Sequence, residues 1–348
     1  MNNFNIKKLV IILTITTILS FSAAAIILFA FGGFHNSSMS FKPQNSQDYS
    51  INEEKNTKVK DIQEIFVDNS FPDINIKVDN SDEIKAHLYG NMTANFKPKL
   101  ETETNGTKLI IRSSSSHLSF STFSGNLNLD ITIPSSYNHA IEINSSSGKV
   151  VTLSPLSLSK FKLHVTSGDT SLKDISSYEL TITSSSGTIV GNNMNSKNAS
   201  FESTSGNITL KNLTSDSLVM SSSSGTINVD TINSKDTSLN STSGNIKVNN
   251  FKGNVKQRTS SGKVSIAYSE FNNNVKLSST SGDINLKLPK DAQFKLDSKT
   301  NSGDIDCNFP ITVQEKSKRG NSLVGTVGND KNSIEITASS GNVNISSN

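Results

Sequence analysis

Ser241-Thr242-Ser243-Gly244-Asn245-Ile246-Lys247-Val248 is the stretch whose reading decides the fold. Its core is Ser-Gly, then a polar residue, then an apolar one, and variants recur along most of the chain. Their glycines are Gly125, Gly148, Gly168, Gly187, Gly206, Gly225, Gly244, Gly262, Gly282, Gly303 and Gly341. The steps between them are 23, 20, 19, 19, 19, 19, 18, 20, 21 and 38 residues, the last being two steps of 19. A fixed period of this kind marks a repeat architecture, in which each unit buries its apolar face only against its neighbours.

The pattern around the glycine is that of two strands and a corner. Leu239, Ser241 and Ser243 alternate onto one face, as do Leu180, Ile182, Ser184 and Ser186. After the glycine the apolar residues resume one position out of phase, at Ile246 and Val248. One extra residue at a bulge or corner produces such a shift. Glycine tolerates the conformation, φ > 0 included. The sequence therefore predicts an all-β, repetitive β-solenoid (β-helix) of 19-residue strand–corner–strand units, its serines continuing the inward face and bonding to backbone groups or to the serine of the next coil. About a dozen coils at ~4.8 Å would stack to roughly 55–60 Å. A second period runs through the middle: the residue after glycine is Asp169, Thr188, Asn207, Thr226, Asn245, Lys263, Asp283. Either alternate coils differ, or one turn holds two units.

Working outward, residues 61–112 keep a period-2 alternation without Ser-Gly, as in Ile74, Ile76 and Val78, and read as degenerate capping β repeats. The Ser-Gly array occupies 113–348. Within it Ser317 to Lys331 reads as a degenerate unit with a protruding loop. Residues 32–60 are polar, contain Gly32-Gly33 and Pro43, and read as an extracellular linker. Residues 9–31 are 23 uncharged, largely apolar positions, against roughly 20 needed to span a bilayer. Lys7 and Lys8 before them place residues 1–8 in the cytoplasm and the remainder outside. The chain is therefore expected at the cell membrane, single-pass. A cleaved signal peptide ending near Ala23-Ala24-Ala25 is the competing reading, but the apolar run continues past that point.

Charge and composition narrow the chemistry. With 33 basic and 30 acidic side chains the net charge is only +3, which argues against a nucleic-acid partner. The single cysteine, Cys307, falls on an apolar strand position and reads as a small core residue. The histidines His35, His87, His117, His139 and His164 make no ligand-spaced pair. Gly148-Lys149 and Gly262-Lys263 lack the rest of a phosphate loop, and no Gly-x-Ser-x-Gly elbow occurs. Asp283, Asp304 and Asp306 would converge if successive coils stacked; a Ca²⁺ site there competes with solvated aspartates, which the sequence favours. No catalytic residue, metal ligand or cofactor is expected.

The units Thr204-Ser205-Gly206-Asn207-Ile208 and Thr280-Ser281-Gly282-Asp283-Ile284, and the closing run Ile334 to Val343, resemble the bacterial "putative adhesin" family of β-strand repeats, whose function is unknown. The resemblance covers roughly Asp61 to Ile345. It implies an all-β repeat fold at the bacterial envelope, in some members associated with envelope-stress systems, and transfers no catalytic residue. The expected function is a non-enzymatic, membrane-anchored adhesin or envelope scaffold whose candidate partners are a cell-wall polymer, a glycan or a membrane protein. The alternatives are an envelope-stress accessory acting through a membrane partner, an ice-binding surface, and a β-helix polysaccharide-degrading enzyme.

Overall fold

The structure, a computed structural model, describes residues 46–114, 124–317 and 321–348. The expected cytoplasmic segment 1–8 and transmembrane anchor 9–31, with His35 and His117, lie outside the described residues. Among those described, no helix is long and apolar enough to cross a membrane. Apart from a 3-10 turn at Val59–Asp61, the regular structure of the described residues is β throughout.

The chain begins with β1 (Gln47–Lys58), β2 (Glu64–Asn69), β3 (Asp73–Asp79), β4 (Glu83–Ala94), β5 (Lys99–Asn105), β6 (Lys108–Ser114) and β7 (Ser124–Pro134). The regular middle follows as β8 (Ala140–Ser145), β9 (Val150–Thr152), β10 (Leu156–Val165), β11 (Thr170–Ser184), β12 (Ile189–Ser203), β13 (Ile208–Ser222), β14 (Ile227–Ser241) and β15 (Ile246–Ser261). From β10 to β15 each strand pairs in parallel with the next. Thr170 faces Ile189, Ile189 faces Ile208, and Ile208 faces Ile227. Each of these steps is one 19-residue unit, so one unit makes one complete coil. The open question of one or two units per turn is settled in favour of alternating coils.

Each coil has three paired runs. Between β11 and β12 they are Thr170–Lys173, Ile175–Ser177 and Glu179–Ser184, interrupted at Asp174 and Tyr178. The first interruption is a left-handed corner, with φ of 53° at Asp174 and 54° at Asn193. Asp and Asn tolerate this region better than other residues with a Cβ. Their side chains also bond along the stack: Asn193 Nδ2 donates to Asp174 Oδ1 at 2.8 Å, and Asn212 Nδ2 to Asn193 Oδ1 at 2.8 Å.

Stacking in register turns each inward position into a ladder. One runs Leu163, Ile182, Phe201, Met220, Leu239, every member buried. Another runs Ile189, Ile208, Ile227, Ile246, Val264. Removing such side chains from water at about 25 cal/mol per Å² supplies the main driving force. No single coil can do this alone.

Both ends depart from serial stacking. At the N-terminal end, β2 and β3 form a coil that lies between two later ones. Ile65 faces Leu109 of β6 on one side and Ile141 of β8 on the other. Ile74 likewise lies between Leu129 of β7 and Val150 of β9. The outer coil is closed by antiparallel strands, β5 on β6 and β4 on β7, with β1 along β4. This corrects two expectations. Residues 64–79 are a full internal coil, and the cap is made by β1, β4 and β5. The linker expected over 32–60 contains β1 from Gln47. That strand looks like linker because Ile51 is its only buried residue; twelve paired positions on β4 order it instead.

The C-terminal end repeats the device. It holds β16 (Val264–Tyr268), β17 (Val275–Ser281), β18 (Ile284–Leu288), β19 (Phe294–Ser302), β20 (Ile305–Cys307), β21 (Thr312–Lys316), β22 (Ser322–Val327), β23 (Ser333–Ser340) and β24 (Val343–Ser347). Here β23 lies between β17 and β19, and β24 between β18 and β20, all parallel. Thus the coil of residues 333–347 separates the coils of 275–288 and 294–307, although it follows both in sequence. The degenerate unit expected at 317–331 includes β22, which pairs antiparallel with the preceding β21 and covers the outer edge of β19. Such hairpins blunt edges that would otherwise offer open backbone groups.

Candidate functional site

The Ser-Gly corner is the most repeated arrangement in the molecule. A Cβ on Gly225 would overlap the carbonyl oxygen of Gly206, and one on Gly244 that of Gly225. In space the column runs Gly148, Gly168, Gly187, Gly206, Gly225, Gly244, Gly262, Gly282, Gly341, Gly303, each against the one before. At Gly187 to Gly244 it is this approach of one coil to the next that demands glycine. A positive φ joins it only from Gly262 onward, for example 136° at Gly282. Gly125 does not belong to the column: it lies in β7 against Asn91 and Met92 of β4. Its spacing of 23 residues, the longest single step, was the signal of that difference.

The serine three residues before the glycine donates to the glycine carbonyl. The Oγ–O distances are 2.7 Å for Ser184, 2.6 Å for Ser203, 2.7 Å for Ser222 and 2.7 Å for Ser241. The step from buried Ser241 to buried Gly244 and Ile246 is the phase shift read in the sequence. The second serine was expected inward and is not: Ser186, Ser205, Ser224 and Ser243 are exposed, because the chain has already begun to turn.

The residue after glycine explains the two-coil period. Asp169 Oδ1 accepts the backbone N–H of Thr188 at 2.8 Å. Asn207 does the same for Thr226 at 2.8 Å, and Asn245 for Lys263 at 2.7 Å. One Asx side chain therefore bridges to the following coil, whose own residue need not. At the interleaved end the bridge passes from Asp283 to the N–H of Asn342, and from Asn342 to the N–H of Asp304. Asp283 and Asp304 are thus two layers apart, with Asn342 between them. They do not converge on a cation, and among the described residues no three His, Cys, Asp or Glu side chains gather in metal-binding geometry. Asp306 is an exposed neighbour of Asn344.

A concavity lies along the outward side of the strand before the corner. It is a shallow groove of about 760 Å³. Its floor is a register-locked row: Thr183, Glu202, Ser221, Asn240, Arg258 and Ser278. One lip carries Ser185, Thr204, Ser223 and Thr242; the other includes Lys256 and Lys276. The polar set is therefore mostly hydroxyl and amide. Lys276 Nζ pairs with Glu335 at 2.6 Å, whereas among the described residues Lys256 and Arg258 have no ion-pair partner. His164 lies at one end, its Nδ1 2.7 Å from Thr183 Oγ1. Sequence reading did not assemble this row, although its members are spaced by the same period as the glycines.

Elsewhere the polar groups have structural duties. Burial raises the Asp130 carboxyl, but hydrogen bonds from Lys77 and Asn75, the Lys77 charge and a bond from Tyr89 outweigh it and hold the group below its ordinary range. Lys77 Nζ is 2.5 Å and Asn75 Nδ2 2.7 Å from it. His87 is bonded to Asn52 at 2.7 Å and stacked on Tyr89. Cys307 is half-buried beside Ile345, and burial pushes its thiol up, against a backbone hydrogen bond at Phe309. Phe161, Phe201, Phe251 and Phe294 are fully buried, as packing residues should be.

Comparison with known proteins places this arrangement. Among solved structures, a "putative adhesin" from Parabacteroides merdae is 15% identical, covering 85% of this chain and 96% of its own, at a TM-score of 0.42. A "putative adhesin" from Parabacteroides distasonis is 15% identical, covering 69% and 90%, at 0.43. A "putative lipid binding protein" from Parabacteroides distasonis is 18% identical, covering 84% and 96%, at 0.41. Likenesses this distant transfer nothing to the present chain. A comparison with curated proteins finds no match. The Toastrack DUF4097 family matches residues 62–216 and again 180–346, so that its two matches overlap in the regular middle and take in both interleaved ends. The chain belongs to the Toastrack DUF4097 family.

Proposed function

We propose that this protein is a non-enzymatic scaffold of the bacterial envelope that makes adhesive contacts through its polar sheet face. In this reading residues 9–31 hold it in the cell membrane with the N-terminus inside. The coils stand outside and meet a cell-wall polymer, a glycan or a membrane-protein partner. The observation that carries the reading is the groove floored by Thr183, Glu202, Ser221, Asn240, Arg258 and Ser278. Hydroxyls and amides repeat there at the coil spacing of about 4.8 Å, suiting many weak hydrogen bonds along an extended polymer. Repetition turns weak contacts into firm attachment when they are linked.

The test has two arms on the full chain. Surface labelling of intact cells should reach an exposed position such as Lys247, and the detergent-solubilised protein should bind isolated envelope polymers. Labelling only after lysis, or binding to none of the polymers, would contradict the reading. Exchange of residues 9–31 for an unrelated membrane anchor should leave adhesion intact; loss of it would favour the envelope-stress alternative.

A further inference from the structure

The coil of residues 333–347 is bonded on both of its edges. Ile334 faces Val275 on one side and Leu296 on the other; Ile336 faces Leu277 and Ser298. In the second run, Val343 lies between Ile284 and Ile305, and Ile345 between Leu286 and Cys307. All four of these central residues are buried. Withdrawing this coil would leave a slot with two facing rows of unpaired backbone groups and an apolar floor. The segment 333–347 itself matches such a slot in register on both edges.

The tether to that segment is short and exposed. It runs from Gly328 to Asn332, with Gly328 at φ 66° and Asn329, Asp330 and Lys331 exposed. One flank of the slot carries a buried polar group. Ser298 is fully buried opposite Ile336, in a register row that holds Leu239 and Leu277 in other coils, and its hydroxyl has no partner. A buried hydroxyl without a partner costs about 1–3 kcal/mol. The N-terminal interleaved coil keeps apolar residues at its matching positions, Ile65 between Leu109 and Ile141 and Val67 between Ile111 and Ile143, and its own unpartnered buried group is the Asn69 amide at the strand end.

We propose that this slot accepts residues 333–347 from a second copy of the chain, so that two molecules join by exchanging their C-terminal coils. The exchanged and closed forms make the same contacts. They differ mainly in the tether, which favours the closed form until the protein concentration nears the effective concentration of the linked segment, about millimolar for a short flexible link. Strand addition of this kind supplies backbone hydrogen bonds for affinity and side-chain pockets for register. The proposal does not depend on the envelope reading.

The single native cysteine makes the test direct. Cys307 and Ile345 are register partners, and parallel neighbours about 4.8 Å apart fall within the roughly 4.4–6.8 Å that a disulfide bridges. Wild-type full-length chain, whose thiol is at Cys307, is mixed with a full-length C307S/I345C variant. The two are unfolded and refolded together at rising concentration, then oxidised with catalyst at alkaline pH. Exchange places one chain's position 345 beside the other's Cys307, and a covalent heterodimer should grow with concentration at refolding. Wild type treated alone sets the background of Cys307–Cys307 dimer. If the I345C substitution lowers the melting temperature, the exposed register pair Asp306 and Asn344 replaces it, as C307S/D306C mixed with C307S/N344C. No heterodimer above background from folded protein at any concentration overturns the proposal.

Discussion

Asn207 Oδ1 accepts the backbone N–H of Thr226, one coil further along, at 2.8 Å. Asp169, Asn245, Asp283 and Asn342 make the same bridge, and in the regular middle it accounts for the alternation every second coil. Asn207→Ala removes the acceptor and leaves that N–H to water. The expected cost is about 1 kcal/mol. Asn207→Asp should keep most of the stability and Thr226→Val should change little, since Thr226 contributes its backbone. Urea denaturation of the three variants checks the order; equal stability of all three would contradict it.

The two serines of the motif should respond differently. Ser203 is buried and donates to Gly206, whereas Ser205 is exposed. Ser203→Ala should cost about 1 kcal/mol and Ser205→Ala close to nothing. The same denaturation measurement decides it, and equal losses would restore the reading in which both serines face inward.

Gly225→Ala drives a Cβ into the carbonyl of Gly206, so adjacent coils must separate. A loss of roughly 2–4 kcal/mol is expected, in the range of core overpacking and backbone strain. Gly106 offers the contrast. It sits in a turn at φ 60° with open space around it, so Gly106→Asn should cost under about 1 kcal/mol. Thermal melting of both variants compares them directly, and a Gly225→Ala melt equal to wild type would refute close approach as the reason for glycine.

Acid should weaken the N-terminal end through Asp130. Its carboxyl is held below its ordinary range in the folded chain by Lys77, Asn75 and Tyr89. The stability it contributes is present above the unfolded carboxyl value of about 3.9 and is lost as pH falls through the folded value. Asp130→Asn should therefore flatten the melting profile below about pH 4 while costing stability at neutral pH. An unchanged acid limb would show that other carboxylates set it.

The regular middle was legible because its information is local. Leu239, Ser241, Gly244 and Ile246 carry strand, corner and phase within eight residues. The interleaved ends were not. Ile336 pairs with Leu277 and Ser298, and nothing in the sequence near any of them encodes that order, since apolar alternation suits every coil equally. The expectation that Asp283 and Asp304 would stack failed for that reason. Strand β1 was hidden because its order comes from backbone bonds to β4 and only Ile51 from burial. The groove was missed because outward Thr183, Glu202, Ser221 and Asn240 share a period but no residue type.

Binding by a groove-blocked chain tests the proposed role most directly. Ser221 sits outward at the centre of the groove floor, and Thr209 sits outward on a different run of the coil. Binding of full-length Ser221→Arg and Thr209→Arg to isolated envelope polymers is compared with wild type, with melting temperature measured on each. Adhesion through this face requires Ser221→Arg to lose at least about tenfold in affinity, worth about 1.4 kcal/mol, while Thr209→Arg binds as wild type and both melt normally. Unchanged binding by folded Ser221→Arg would contradict it.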